Sequence, residues 1–393
     1  RLSEENFMST VNFITNLKLR GSWGQLGNQN VPGGNYPYQS FISFGQGIVL
    51  GNSTLVDGAA LLDAANPGLT WETSEMTNVG LDLGMFDGKL NITAEVYSKR
   101  TKDIIFDIPI PATTGLNAPP VNAGEVLNEG WDLRIVYGNK VNNFNYNIGF
   151  NLSDVKTTVV DLKETGPIFP DKFTIWEEGE EFNALYGFVA DGYYQSQDEV
   201  DDGPTQIGTL APGDIRYRDL NDDGVINADD RQIIGSTTPR YVFGLDMTAD
   251  YKGFDLTIFF QGVGKRDGYL EQEAAWAFYN GGKVQEKHLD YWTPENPDAE
   301  FPRLTYTLTN NQAVSSFWRT NAAYLRLKNV QIGYTLPQSL TEAISIQRAR
   351  VYAAGQNLFS IDSYDGFDPE SRLGNANFYP FVTVYTLGVD ITF

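Results

Sequence analysis

The end of the chain alternates strictly between apolar and polar side chains and stops on an aromatic residue. The apolar positions are Tyr385, Leu387, Val389, Ile391 and Phe393, with Thr, Gly or Asp between them. Because side chains alternate faces along a strand, this segment predicts a β-strand with one apolar face. Ten residues at roughly 3.3 Å each, tilted by about 40°, rise about 25 Å, the height of the apolar band of a membrane barrel. The segment therefore predicts a strand with lipid on one side and water on the other.

The same alternation recurs along the chain, and repetition makes a weak signal persuasive. The residues between the apolar positions are mostly Asn, Asp, Thr, Gly and Gln, as a wet lumen requires. The predicted fold is therefore all-β, a transmembrane antiparallel β-barrel contributing about ten strands. In residues 322–335 the apolar phase shifts, which predicts a bulge near Lys328 and Asn329. Further apolar faces are predicted in residues 17–23, 79–85, 90–96, 131–137, 144–152, 241–247 and 254–260.

Short and long connections alternate between the predicted strands, as they do in outer-membrane barrels with short periplasmic turns and long extracellular loops. Asp87 and Gly88 tolerate the positive φ angles of a type I′ turn, which predicts a tight hairpin there. The other short connections are predicted at residues 138–143, 251–253 and 337–347. The long ones are predicted at residues 25–74, 100–125, 154–239, 264–321 and 360–382.

Composition excludes some classes of function and leaves others open. The formal net charge of −22 argues against nucleic acid as a partner, because phosphate binding requires a basic surface. The chain has no cysteine, which excludes disulfides and cysteine-ligated metals. None of its 393 residues lies in an apolar run long enough for a transmembrane helix. A mean hydropathy of −0.31 suits a barrel or a soluble protein, and 13% aromatic residues would also suit a carbohydrate-binding β-sandwich.

One acidic stretch, residues 219–230, has the spacing of a twelve-residue calcium loop. Oxygen-bearing side chains occupy its first, third and fifth positions, and Gly224 stands at the sixth, where such loops turn sharply. At the twelfth position Asp replaces the usual Glu. The alternative is an acidic turn that satisfies its own Asx hydrogen bonds. Either way we expect a structural role, and the predicted calcium ligands are Asp219, Asn221, Asp223, Val225 and Asp230.

The sequence gives little support for catalysis, and we expect no enzymatic activity. The only histidine, His288, lies in a predicted loop, where a lone histidine is far more often a surface residue than a base or ligand. No Ser-His-Asp or Cys-His set and no glycine-rich phosphate loop is evident. A glycosidase pair of carboxylates stays open, because the fold and not the sequence sets its geometry.

Several blocks of this sequence occur together in a recognisable order. They are LKLRGSWGQLGNQN (17–30), GDIRYRD (213–219) before the acidic loop, IG to P (234–239), YKGFDLTIFFQG (251–262), YWTPENP (291–297), YLRLKNV (324–330), GYTLP (333–337) and GQNLF (355–359). In this combination they resemble the C-terminal part of SusC/RagA-type TonB-dependent outer-membrane transporters, and the resemblance covers essentially the whole chain. The final strand, with Tyr385, Leu387 and Phe393, also resembles the strand that serves that family as a barrel assembly signal.

The resemblance implies a multi-pass protein of the bacterial outer membrane, in contact with its lipid, that imports glycans or oligosaccharides, and in some cases peptides. It implies a 22-stranded barrel with an N-terminal plug, a SusD-like surface lipoprotein as a lid, and a dimer of such transporter–lipoprotein pairs. Residues 1–393 would form the C-terminal portion of the barrel domain, and the TonB complex would act through an N-terminal part. Nothing near Arg1 has the layout of a secretion signal, so we expect a fragment or a processed piece of a longer protein.

Aromatic residues in the long loops are the candidates for substrate binding, because flat rings suit the apolar faces of sugars. Trp276, Phe278 and Tyr279 lie in the long loop after the strand that ends near Gly262. Trp176 and Tyr186, in the preceding long loop, are candidates open to the same two interpretations. The alternative is that these rings pack the loops against each other or against the lid.

Two other functions share parts of this pattern. A TonB-dependent receptor for siderophores or vitamins would have the barrel without the SusD-like lid. A binding-only surface β-protein would express in soluble form without detergent.

Overall fold

The computed structural model of the protein describes residues 1–30, 36, 38–51, 53–107, 110–206, 208–307 and 309–393. In these ranges the strands are β1 (Ile14–Asn28), β2 (Ile42–Leu50), β3 (Thr54–Leu61), β4 (Glu72–Met85), β5 (Leu90–Asp107), β6 (Pro120–Val141), β7 (Phe144–Asp161), β8 (Thr174–Ile175), β9 (Ala184–Phe188), β10 (Ala190–Tyr193), β11 (Ile215–Tyr217), β12 (Arg231–Ser236), β13 (Arg240–Tyr251), β14 (Phe254–Lys265), β15 (Asp267–Tyr269), β16 (Arg319–Asn321), β17 (Tyr324–Thr335), β18 (Arg348–Asp362) and β19 (Val384–Thr392).

Helices in the same ranges are short. The α-helices are α1 (Gln197–Asp202) and α2 (Gln338–Thr341). Turns of 3-10 helix lie at Leu2–Glu4, Asn6–Met8, Ala112–Thr114, Ala228–Asp230, Gln272–Ala274, Tyr279–Gly281, Glu286–Leu289, Asn310–Gln312, Ser316–Trp318 and Glu342–Ile344. Within the described part of the chain, no helix is both long enough and apolar enough to cross a membrane.

Ten strands form one large antiparallel sheet in the order β1-β4-β5-β6-β7-β13-β14-β17-β18-β19. Each strand pairs with the next long strand along the chain, so the sheet is a simple meander whose long connections all leave from one end. This arrangement confirms the prediction of about ten antiparallel strands. β1 and β19 lie at the two edges of the sheet among the residues described.

The two faces of the sheet differ in chemistry, as the alternation predicts. The inner face carries ion pairs between strands. Arg20 Nε on β1 donates to Asp82 on the adjacent β4 at 2.9 Å, and Arg350 Nε on β18 reaches across β17 and donates to Asp255 on β14 at 2.8 Å. The opposite face exposes large apolar side chains that suit contact with lipid. They include Leu19, Trp23, Val79, Val96, Ile148, Val351, Leu387 and Val389.

The predicted turns and the predicted bulge are present. Asp87 and Gly88 have φ angles of 58° and 79°, and the Lys89 amide donates to the Phe86 carbonyl at 3.2 Å, which is a type I′ turn. On β17, the partners of Phe259 and Phe260 are Asn329 and Leu327, so Lys328 is the extra residue of a bulge.

The strands extend further toward the long connections than the alternation predicts. β6 has 22 residues, and β5 and β7 have 18 each, so 100–107, 120–125 and 154–161 are strand and not loop. The short connection predicted at 138–143 is reduced to Asn142 and Asn143, because Val141 pairs with Phe144. The extensions were missed because bulges change the apolar phase there, at residues 102–103 of β5, near Ala123 of β6 and at Val160 of β7.

The long segments 162–239, 266–323 and 363–383 pack together over the end of the sheet into a compact unit with its own apolar core. We call this unit the loop cap. Small sheets such as β12-β9-β8 and β15-β16 organise it. The buried core of the loop cap consists of Phe173, Leu185, Phe188, Tyr193, Ile215, Tyr217, Ile226, Ile234, Tyr269, Leu270, Ala274, Ala275, Trp292, Ala299 and Trp318.

Candidate ligand-binding and metal-binding sites

The acidic loop folds around hydrogen bonds from its own backbone. Asp219 Oδ2 accepts from the Gly224 amide at 2.8 Å, and Asn221 Oδ1 accepts from the Asp223 amide at 3.1 Å. Asp223 Oδ1 accepts from the Val225 amide at 2.8 Å. Gly224 has a φ of 80°, the left-handed conformation that the sharp turn at the sixth position needs.

Asp230 closes the same loop from its far end. Its side chain is fully buried, Oδ1 accepts from the Leu220 amide and Oδ2 accepts from the Asn227 amide, both at 2.8 Å. The carboxylate therefore ties the start of the loop to its exit. This is a structural role that Asp230 fulfils with or without a metal ion.

The loop residues fit a hard cation such as Ca²⁺ in their chemistry. Each carboxylate or amide oxygen carries two lone pairs, so one backbone hydrogen bond leaves acceptor capacity. Across the residues that the structure describes, no group of three His, Asp or Glu side chains is arranged to hold a metal ion. A calcium ion here would therefore depend on amide and backbone oxygens as well as on Asp219 and Asp223.

The predicted aromatic residues lie in one turn of the loop cap, and their rings contact other protein groups. Trp276 packs against the buried core of the loop cap and meets Tyr279 nearly at right angles, with ring centroids 5.2 Å apart. Phe278 stacks on Tyr306 at 4.1 Å, and Tyr306 is 82% exposed. A role of these rings in substrate binding stays a prediction.

His288 is buried, and the expectation of a surface position was wrong. Its side chain is 2% exposed, Nε2 donates to the Ala275 carbonyl at 2.8 Å, and Nδ1 accepts from the Gln285 amide at 3.1 Å. Burial lowers the pKa of the imidazole, so the ring is held neutral. His288 joins two parts of the loop cap. This role was not predictable from the sequence, because both partners are backbone groups.

A second candidate site, which the sequence did not indicate, lies on the inner face of the sheet where β5, β6 and β7 meet the loop cap. It is a cavity of about 490 Å³. We call it the lumen pocket. Its apolar walls include Ile104, Phe106, Val126, Val159, Trp176 and Phe182.

Of the two other aromatic candidates, only Trp176 reaches the lumen pocket. Its indole stacks on Phe182 with ring centroids 4.9 Å apart. Tyr186 lies on β9 in the loop cap and contacts the ring of Phe169 at 5.7 Å.

The comparisons with known proteins agree with this architecture. The family described as "TonB dependent receptor-like, beta-barrel" matches residues 6–358. TonB-dependent receptor P3 of Formosa agariphila is 31% identical over 417 residues, and SusC of Bacteroides thetaiotaomicron is 27% identical over 415 residues. Both alignments cover all of this chain, but only 41% and 39% of the relatives.

A solved structure of the RagAB peptide transporter has the same fold. It superimposes with a TM-score of 0.82 at 25% identity, over 99% of this chain and 42% of that one. The chain thus spans about two-fifths of the length of the relatives that it matches. It belongs to the family of TonB dependent receptor-like beta-barrels, which are proteins of the bacterial outer membrane.

Proposed function

We propose that this chain forms part of the barrel wall of a TonB-dependent importer that takes up oligosaccharides or peptides across the outer membrane. The observation that carries this proposal is the ten-stranded sheet with an apolar outer face and a charged inner face. A wall of this kind separates lipid from a water-filled path. The proposed role is passage and not chemical conversion, so no catalytic residue is assigned.

The proposed partners follow from the relatives. SusC and the RagAB peptide transporter are among the proteins that this chain is similar to. By analogy we propose a SusD-like surface lipoprotein that docks on the loop cap, with two such pairs forming a dimer. The TonB complex would supply the energy through a part of the protein outside residues 1–393.

We also propose that Ca²⁺ binds the acidic loop as a structural ion. Asp219, Asn221 and Asp223 supply side-chain oxygens, and Val225 supplies its carbonyl. The ion would stiffen the long segment 162–239, since fixing a loop lowers its conformational freedom. Its role would be confined to the loop cap.

The test is intact mass spectrometry of the complex that copurifies with this polypeptide from native outer membranes in detergent. The proposal predicts a transporter subunit of about twice the 43.7 kDa of this chain, or this chain with an N-terminal companion, together with a lipoprotein. A transporter without a lipoprotein would favour a siderophore or vitamin receptor. A lone species of 43.7 kDa that needs no detergent would overturn the proposal in favour of a binding-only surface protein.

A further inference from the structure

The lumen pocket is an apolar patch on a face that is otherwise polar. At the end of the sheet away from the loop cap, the inward-facing residues of β7 include Asn145, Asn147 and Asn151. Toward the loop cap the inward residues change to Val126 on β6 and Val159 on β7. A water-filled lumen does not need apolar side chains, so this change calls for a packing partner or a ligand.

The loop cap fills only part of this patch. Trp176 and Phe182 fold over the wall, and the ring of Trp176 meets that of Phe106 nearly at right angles, with centroids 6.0 Å apart. A space of about 490 Å³ remains between these groups. The space opens toward the inner side of the sheet, so a ligand could enter it from there. Ligand pockets have about 300–1,000 Å³, and the volume lies in that range.

The arrangement of the rings does not suit a sugar platform. Phe182 covers one face of the Trp176 indole, with an interplanar angle of 23°. The Trp176 Nε1 group donates to Asn183 Oδ1 at 2.6 Å, so this donor is already used. A pyranose would need a free ring face together with free hydrogen-bonding groups.

Most of the polar groups that line the pocket are also paired with protein. Glu72 Oε1 accepts from the Ile105 amide at 2.9 Å, and its other oxygen accepts from the Asn28 side-chain amide at 2.7 Å. The Thr157 hydroxyl donates to Asn128 Oδ1 at 2.8 Å. The surface that remains for a ligand is therefore chiefly hydrocarbon and aromatic.

We propose that the lumen pocket binds an apolar side chain, of the size of Phe or Leu, on a peptide that passes through the barrel. This inference rests on the proposed function, because it needs a transport path along the inner face of the sheet. Burial of such a side chain is favoured by the hydrophobic effect, and the pocket offers no set of free hydrogen-bonding partners for a hydroxyl-rich ligand. The pocket would select peptides by one of their side chains and would not recognise the peptide backbone.

The test uses the full importer with its native partner, in lipid nanodiscs, so that detergent does not fill the pocket. The probes are a tryptic digest of serum albumin and a maltodextrin mixture, with bound molecules identified by mass spectrometry. Val126→Trp fills the pocket. Val136→Trp is the matched control, because it makes the same change on the inner face of β6, ten residues away and outside the pocket.

The wild type and Val136→Trp should retain peptides enriched about tenfold in Phe or Leu over the input, and Val126→Trp should lose this enrichment. Val126→Ala, which enlarges the pocket, should shift the retained set toward Trp. The shift of electrophoretic mobility on heating checks that each barrel is folded.

Retention of peptides without apolar enrichment, or equal enrichment in Val126→Trp, would overturn the inference. Retention of maltodextrin alone would also overturn it and would leave the importer intact as a glycan transporter. If deletion of the gene changes the uptake of neither peptides nor glycans, the proposed function itself fails.

Discussion

Arg303 holds the carboxylate of Asp214 through two parallel hydrogen bonds, Nε to Oδ1 at 2.8 Å and a terminal nitrogen to Oδ2 at 3.0 Å. Asp214 has no exposed surface and also accepts from the Asn311 side chain and the Ala211 amide, both at 2.8 Å. The pair joins two segments of the loop cap that are 89 residues apart in sequence. It is a fully buried polar contact beside the apolar core of the loop cap.

Asp214→Asn should destabilise the loop cap by about 3 kcal/mol, because it leaves the charge of Arg303 without its buried partner. Amide hydrogen exchange at residues 209–218 and 299–307 of the full protein measures the effect. Asp202→Asn, an exposed position on α1, is the matched control and should change little. Equal protection in the two variants would contradict the importance of this ion pair.

Gly88→Val should slow barrel assembly, because φ at this position is 79° and a β-branched residue there costs at least about 1–2 kcal/mol. The fraction that refolds into lipid vesicles, scored by mobility on heating, measures the effect. Gly21→Val is the control, since Gly21 lies within β1 with no atom near its added Cβ. A loss of yield in Gly21→Val as large as in Gly88→Val would refute the turn argument.

If Ca²⁺ binds the acidic loop, chelation with EGTA should make residues 219–230 more sensitive to protease. Asp223→Asn should weaken calcium binding about tenfold or more by removing one ligand charge, and isothermal titration measures this. Asp222→Asn is the matched control, because it changes a neighbouring carboxylate that lies outside the predicted ligand set. Protease resistance that does not depend on calcium would instead support an acidic turn held by its own hydrogen bonds.

Acid should loosen the loop cap around His288. Burial lowers the pKa of His288, so the folded state disfavours the protonated ring. The stability that the neutral ring contributes is therefore present above the ordinary pKa near 6.5 and is lost as the pH falls below it. The neighbouring ammonium of Lys287, which donates to the Ala274 carbonyl at 2.6 Å, adds to this penalty.

The protection factors of the amides at residues 272–290, which correct the exchange rates for the pH dependence of intrinsic exchange, should accordingly fall between pH 7.5 and pH 5.5 in the wild type. In His288→Gln the pH dependence of this region should be smaller, although the variant starts from a lower stability. An identical pH profile in the two proteins would show that His288 does not titrate in this range.

The sequence predicted the membrane strands well, because each of them repeats the same two-residue period between lipid and water. The turn at Asp87 and Gly88 and the bulge at Lys328 also left local signals that the structure confirms. The outer ends of β5 and β6 were missed, because bulges break the period there.

The loop cap was not predictable from the sequence in the same way. Its core joins residues as distant as Phe173 and Trp318, and such contacts leave no periodic pattern. The burial of His288 and the pairing of Asp214 with Arg303 belong to this class. The lumen pocket was missed for the same reason, since Trp176 comes from a loop and Val126 from a strand.

The central claim is that alternate residues of the sheet face lipid and water, and single-cysteine labelling along β7 tests it most directly. The 393 residues contain no cysteine, so each introduced thiol in this chain is a defined probe. In the importer embedded in lipid vesicles, a water-soluble maleimide should label Asn145→Cys and Asn147→Cys, whereas Ile148→Cys and Phe150→Cys should be protected. Equal labelling at all four positions would contradict the assignment of this sheet to a barrel wall.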